Sequence, residues 1–189
     1  EQIGKLVRRL MPDSDGTDAD DYPHLVQRAV SRYVGGQLLF SLIMGTSTGV
    51  SLWIFGDVGL FPDGAKYAIA FGVFYGVMEL VPYIGPILGA APPVIVALFT
   101  NPISAVWLII LFIALQQLEG HVVAPQVFGH TLRINPILVI FALLLGLHVD
   151  GIVGALIALP ILSVLRETVV YLDRHVTLES WDRTRESLL

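Results

Sequence analysis

The sequence predicts an all-α fold, a polytopic membrane helix bundle that contains broken helices and a re-entrant hairpin. Of its 189 residues, 54% are hydrophobic and only 14% are charged, whereas soluble domains carry about 25% charged residues. Glu79 is the only charged side chain from Tyr67 to Leu118, and none occurs from Gly35 to Gly56. Apolar stretches of about 20 residues are long enough to cross a hydrocarbon core of about 30 Å. Proline and glycine interrupt the longest of these stretches, which predicts the broken helices.

The composition argues against several classes of protein. The net charge is −5 and no basic patch suggests a nucleic-acid partner. The absence of cysteine excludes disulfides and thiolate metal sites. The sequence has no nucleophile elbow, no zinc-protease helix and no phosphate-binding loop, so we expect neither an enzyme nor a cofactor. Glu119, His121 and His130 lack helical ligand spacing, so no metal site is expected either.

The first 35 residues are predicted to be a polar linker followed by an amphipathic helix at the membrane surface. The acidic run 13–21 has its glycine at the fourth position, whereas a calcium-binding EF-hand loop needs glycine at the sixth. A solvated linker is therefore the better interpretation. In 22–34, apolar residues recur at helical spacing, with Arg28 and Arg32 on the opposite face.

Four membrane spans are predicted after this helix. The apolar stretch 65–100 is too long for one span, and its prolines divide it near 82–86. Small residues in the first span favour close helix packing over a polar pore lining. The predicted spans are 36–56, 65–81, 84–100 and 103–119.

The hairpin is predicted over 136–172. Two apolar runs of 14 residues meet at Asp150 and Gly151, and a helix of that length reaches only about 21 Å. A re-entrant hairpin fits these lengths, and the alternative is a second run that continues to residue 172 and spans the membrane. The arginines flanking the spans place both ends of the chain, including a polar tail at 173–189, in the cytoplasm.

The sharpest candidate site is the interruption formed by Pro82, Gly85 and Pro86. Such a break predicts exposed backbone carbonyls and amides, an arrangement that builds substrate and ion sites in secondary transporters. Glu79 lies one turn before the break, and Tyr83 follows Glu79 by one turn. A carboxylate in a span suggests a binding function, and the alternative is an anchor at the headgroup boundary.

Two further sets of polar residues are candidates. Gln116 and Glu119 are three residues apart and share a helical face, so they could bind a polar solute or a cation; a helix end in headgroup water is the alternative. In the hairpin, Asp150 would carry an ion or a proton only if the tip lies within the bilayer. Gly151, Gly154 and Pro160 are the other hairpin candidates, and the two glycines would let the hairpin move.

In these motifs the sequence resembles the autoinducer-2 exporter family, also called the PerM-like permeases. The resemblance covers about residues 35–170 and rests on the order and spacing of several motifs. They read Pro82-Tyr83-Ile84-Gly85-Pro86, Gln116-Gln117-Leu118-Glu119-Gly120, Pro125-Gln126-Val127-Phe128-Gly129, Pro136, Gly151 with Gly154, and Pro160. Between His148 and Gly151 the family often has glycines and an aromatic residue, where this chain has His-Val-Asp.

The resemblance implies a transporter in the bacterial cytoplasmic membrane that exports or exchanges a small solute, such as an autoinducer-2-like signal. Sodium or protons would drive transport, and the protein would form a homo-oligomer within the lipid bilayer. The resemblance also implies that this chain is the C-terminal part of a longer protein. The alternatives are a sodium/proton antiporter of the same family and a membrane scaffold or regulator that transports nothing.

Overall fold

The protein is a bundle of α-helices. The computed structural model describes residues 21–128 and 135–175, and it contains no β-strand within those ranges. The helices are α1 (Tyr22–Asp57), α2 (Pro62–Met78), α3 (Gly85–Thr100), α4 (Pro102–Leu118), α5 (Ala124–Phe128) and α6 (Pro136–His175), with a π-helical turn at Glu119–Val123 between α4 and α5. The predicted all-α membrane bundle is confirmed. The acidic run, apart from Asp21, lies outside the described residues, as does most of the tail.

Helix α1 differs from its prediction. We expected a surface helix over 22–34 that turns before entering the membrane, but α1 is continuous for 36 residues. The helix is about 54 Å long, well beyond the hydrocarbon thickness of about 30 Å. Gly35 and Gly36 lie where the turn was expected, but each lowers helix propensity by only about 1 kcal/mol and does not remove a hydrogen-bond donor as proline does.

Three helical segments are long and apolar enough to cross a membrane, counted over the described residues: Tyr22–Asp57, Pro102–Phe128 and Pro136–Arg174, the last of which is divided by a kink at residues 150–151. Helices α2 and α3 are shorter, with 17 and 16 residues, or about 25 Å each. Large apolar side chains are exposed along the outer faces of all the long helices. This distribution suits contact with lipid, where an apolar outer face carries no penalty.

Helix α6 is a hairpin. The backbone leaves helical geometry at Asp150 (φ −144°, ψ 31°) and at Gly151 (φ 57°, ψ −138°), the two residues assigned to the hinge from the sequence. The arms, 136–149 and 152–175, then run side by side, since Gly146 and Gly154 are in direct backbone contact. The positive φ at residue 151 is readily adopted by glycine, which has no Cβ.

Glycines also bring α1 and α2 together. A Cβ added to Gly45 would lie 2.8 Å from the carbonyl oxygen of Gly72 and 2.9 Å from the Cα of Gly76. Small residues allow this approach, and in lipid such close packing is a main source of helix association. This is the most extensive helix pair of the described structure.

The remaining helices close the core around this pair. The rings of Tyr75 on α2 and Phe112 on α4 stack with centroids 5.7 Å apart. A second, smaller cluster joins Tyr33 of α1 to Leu143 and Leu159 of the hairpin arms. The hairpin therefore packs on the same face of α1 that lies beside the end of α2.

We predict that Gly72→Ala destabilises the protein by about 1–3 kcal/mol, the usual cost of overpacking. The added methyl group would lie 2.8 Å from both the Gly45 oxygen and the Gly49 Cα, which are backbone atoms that move only if the helices separate. Thermal unfolding in detergent measures the effect. Gly35→Ala is the matched control, because nothing lies within 4 Å of its new methyl group; equal stability of the two variants would contradict the prediction.

Candidate functional site

The turn between α2 and α3 is a compact, hydrogen-bonded interruption at residues 79–84. The amide of Ile84 donates to the carbonyl of Pro82 at 2.8 Å, and the amide of Gly85 donates to the carbonyl of Val81 at 2.8 Å. Tyr83, which lies between Pro82 and Ile84, has a φ of 66°. An i to i+2 hydrogen bond around a residue with positive φ is a γ-turn, a rare and strained conformation.

The backbone carbonyls of residues 75–79, at the end of α2, are all paired, so the exposed carbonyls predicted for the break are not found at this helix end. The side-chain amide of Gln37 donates to the carbonyl of Glu79 at 2.7 Å. The hydroxyl of Ser41 donates to the carbonyl of Gly76. Backbone amides of the turn bond the carbonyls of Tyr75, Val77 and Met78. Side chains of α1 thus supply two of the partners that the broken helix lacks, and backbone amides of the turn supply the others.

Pro82, Gly85 and Pro86 occupy different positions in the structure. Pro82 lies inside the turn, whereas Pro86 lies in the first turn of α3, where a missing amide hydrogen costs nothing. Gly85 packs directly on the end of α2, and an added Cβ would lie 2.9 Å from the Cα of Glu79. The sequence Gly-Pro therefore begins α3, and the interruption itself ends at residue 84.

Beside this turn lies a pocket of about 550 Å³. It is formed by α1, the α2–α3 turn, the π-helical turn with α5, and both hairpin arms. Its lining residues are Tyr33, Gln37, Phe40, Glu79, Pro82, Tyr83, Glu119, Gly120, Ala124, Pro125, Phe128, Val139 and Leu159. The structure therefore brings together the predicted residues of two separate motifs, 79–83 and 119–120.

Two carboxylates dominate the chemistry of the pocket. Glu79 has no solvent exposure, and neither of its carboxylate oxygens has a hydrogen-bond partner within the described residues. Oε2 of Glu119 is also buried without a partner in the same part of the chain. A buried carboxylate without a partner is costly unless a cation, a proton or a polar ligand satisfies it. The pocket is thus suited to bind a cation or a hydrogen-bond donor.

The π-helical turn at Glu119–Val123 places the second carboxylate. A π-helical turn is wider than an α-helical one and is often found at functional sites. It contains one predicted candidate, Glu119, and also His121, whose Nδ1 lies 2.9 Å from the carbonyl oxygen of Gln117. His121 is exposed and does not line the pocket.

Not all the predicted residues reach this pocket. Gln116 is exposed and lines a different, smaller cavity with Tyr75 and Pro86. Three residues of α-helix rotate by about 300°, so residue 116 is displaced by about 60° from residue 119, enough to separate the two side chains here. Tyr83 does line the pocket, with about half of its side chain exposed (52%).

The hairpin candidates also lie outside the pocket. Asp150 and Gly151 are exposed at the tip, Gly154 contacts the opposite arm, and the carbonyl of Pro160 accepts a hydrogen bond from Ser163. The hairpin contributes apolar residues instead. The described residues include no group of three or more potential metal ligands.

Sequence reasoning missed the contribution of α1. Gln37 and Ser41 are polar, buried and four residues apart, so they lie on one helical face directed at the end of α2. Two polar residues four positions apart in an otherwise apolar span could have indicated this contact. Tyr33, Phe40 and Phe128 complete the walls and carried no such signal, because isolated aromatic residues are common in any membrane helix.

Comparison with known proteins now decides the family. The sequence pattern of AI-2E family transporters matches residues 1–174. The chain belongs to the AI-2E transporter family. Membership of a transporter family and the long apolar helices together identify a multi-pass membrane protein.

Curated relatives come from several bacteria. The chain is 31% identical over 174 residues to "Putative transport protein YrrI" of Bacillus subtilis, covering 92% of this chain and 47% of that protein. It is 30% identical over 182 residues to "Putative transport protein YueF" of the same organism, covering 96% of this chain and 47% of that protein. It is 31% identical over 144 residues to "Putative transport protein YhhT" of Escherichia coli K12, covering 76% and 39%. The chain thus spans about half the length of these relatives. No solved structure matches it.

We predict that Gln37→Leu destabilises the protein by about 1–3 kcal/mol, the cost of leaving a buried acceptor unpaired. The substitution removes the donor to the Glu79 carbonyl while keeping the side-chain size similar. Thermal unfolding in detergent reports the loss. Gln27→Leu on the exposed face of the same helix is the matched control. Equal melting temperatures for the two variants would show that the capping bond is unimportant.

Proposed function

We propose that the protein containing this chain is a secondary transporter in the cytoplasmic membrane of a bacterium, and that it exports or exchanges a small solute using a cation gradient. Glu79 and Glu119 form the binding site for the coupling cation or for a polar group of the solute. The observation that carries the proposal is the fully buried Glu79 carboxylate, which has no partner in the described structure. Family membership supports transport as the general activity.

The composition of the pocket supports a small ligand with both polar and apolar parts. The two carboxylates and the hydroxyl groups of Tyr33 and Tyr83 provide hydrogen-bonding groups in this pocket. Phe40 and Phe128 provide apolar contacts. A volume of about 550 Å³ lies within the range of small-molecule sites. Because a lone buried carboxylate favours a cation or a proton as its partner, coupling to sodium or protons is part of the proposal.

The same pocket suggests how access could alternate. Val139 and Leu159, one from each hairpin arm, form part of its wall. Movement of the hairpin against α1 would open or close the pocket, whereas the capped turn would keep Glu79 in place. The outward apolar face of the hairpin is also compatible with the homo-oligomer that we include in the proposal.

The decisive experiment replaces the buried carboxylate without changing its size. We predict that Glu79→Gln in the full-length protein reduces gradient-driven solute flux in proteoliposomes at least tenfold, because the neutral amide lacks the negative charge that attracts a cation and cannot exchange a proton. Expression and melting temperature should remain close to wild type. Asp57→Asn is the matched control, since Asp57 is an exposed carboxylate outside the pocket. Undiminished flux in Glu79→Gln would remove Glu79 from the site.

A second measurement identifies the coupling cation. We predict that wild-type flux depends on either a sodium or a proton gradient, and that Glu119→Gln weakens this dependence because Glu119 lines the same pocket. Flux is measured with each gradient imposed separately, and the cation moved in the opposite direction is recorded as well. Cation exchange without solute movement would indicate an antiporter. The absence of any flux, together with a protein partner recovered by cross-linking, would favour the non-transporting scaffold.

A further inference from the structure

A second pocket lies beside the first part of α1, separate from the carboxylates. It has a volume of about 350 Å³ and is formed by α1, the end of α5 and the second hairpin arm. Three arginines line it: Arg28 and Arg32 from α1 and Arg166 from α6. Tyr33 and Phe128 line both pockets, but neither Glu79 nor Glu119 lines this one.

The pocket is positively charged. Its three arginines face a single acidic residue, Glu167, whose Oε2 lies 3.8 Å from Nη1 of Arg166. Arg28 and Arg32 make no ion pair or hydrogen bond with any described residue. Being four residues apart, they lie on the same face of the helix. Two guanidinium groups are therefore available for an anion, and guanidinium binds phosphate in a bidentate manner.

Below the arginines, the same face of α1 becomes open and then apolar. Residues 28, 32, 35 and 39 follow one another at helical spacing and all line the pocket. No atom lies within 4 Å of a Cβ added to Gly35, so there is free space directly beyond the arginines. Leu39, one turn further on, is 50% exposed and lies in the charge-free stretch of the chain. The order along the helix is thus cationic, open and apolar.

The pocket is held in shape by contacts between its two walls. The hydroxyl of Tyr22 on α1 and that of Thr168 on α6 are hydrogen-bonded at 2.5 Å. The rings of Tyr22 and Tyr171 also contact each other, with centroids 5.3 Å apart. Both contacts hold α1 and the second hairpin arm together near the arginine end of the pocket.

We propose that this pocket binds an anionic phospholipid, with the headgroup phosphate on Arg28, Arg32 and Arg166 and an acyl chain passing Gly35 towards Leu39. A phospholipid has the same order of anionic and apolar parts as this face of α1. Basic pockets between membrane helices are a known form of headgroup site. A free phosphate ion would use the arginines but would gain nothing from the open and apolar part.

The proposal is tested by lipid binding to the full-length protein. Native mass spectrometry in detergent measures binding of dioleoyl phosphatidylglycerol, with dioleoyl phosphatidylcholine as the zwitterionic comparison. We expect the anionic lipid to bind more tightly. Arg28→Gln or Arg32→Gln should weaken it about fivefold each and the double variant about 25-fold, as expected for the loss of one arginine contact at a time. Arg174→Gln, an exposed arginine outside the pocket, is the matched control.

Two further variants separate the contributions of charge and shape. Replacing Arg28 and Arg32 by lysine retains the charge but loses the bidentate contact, so binding should fall between that of the wild type and that of the double glutamine variant. Gly35→Leu should weaken the lipid by filling the open space, with no change of charge. Equal binding of both lipids, or wild-type affinity in the double glutamine variant, would overturn the proposal. Displacement of the lipid by inorganic phosphate at equal concentration, with Gly35→Leu unaffected, would instead show a free-anion site.

Discussion

The structure depends on two side-chain hydrogen bonds from α1 to the broken end of α2. A helix that ends in a buried, water-free place leaves its last carbonyls without partners unless side chains supply them. Gln37 and Ser41 provide them, on the carbonyls of Glu79 and Gly76. This requires α1 to lie very close to α2, which the glycine contacts between the two helices allow. Because the backbone of Glu79 is fixed in this way, its side chain is held in the pocket even though its carboxylate has no partner among the described residues.

Much of the helical organisation could be predicted from the distribution of charge. The four apolar stretches correspond to helices whose bounds differ from the predicted spans by a few residues, apart from α1, because lipid contact demands uninterrupted apolar sequence. The start of α1 could not be predicted. The amphipathic pattern of 22–34, with its two arginines, is typical of a helix at the membrane surface, but α1 continues through residues 35–36 without a break.

The site was partly predictable for an equally physical reason. Glu79 stands out because it is the only charge in a long apolar stretch, and its burial follows from that position. Glu119 could be identified as a candidate, but the π-helical turn that places it could not, since a single wide turn has no clear sequence pattern. Gln37 was overlooked because its function appears only when α1 and α2 are seen together. A polar residue that caps another helix cannot be distinguished, in one sequence, from one that faces a ligand.

The contact between Gly146 and Gly154 has a consequence for dynamics. The two arms of the hairpin touch backbone to backbone near the tip, with no side chains between them that could change rotamer. Arms packed in this way have little freedom to separate, so the hairpin would move as one rigid body. The contacts that change during such a motion would be those between the hairpin and α1, where side chains such as Tyr33 and Leu143 pack together. The sequence suggested that Gly154 would let the hairpin move, whereas its contact with Gly146 would hold the two arms at a constant distance.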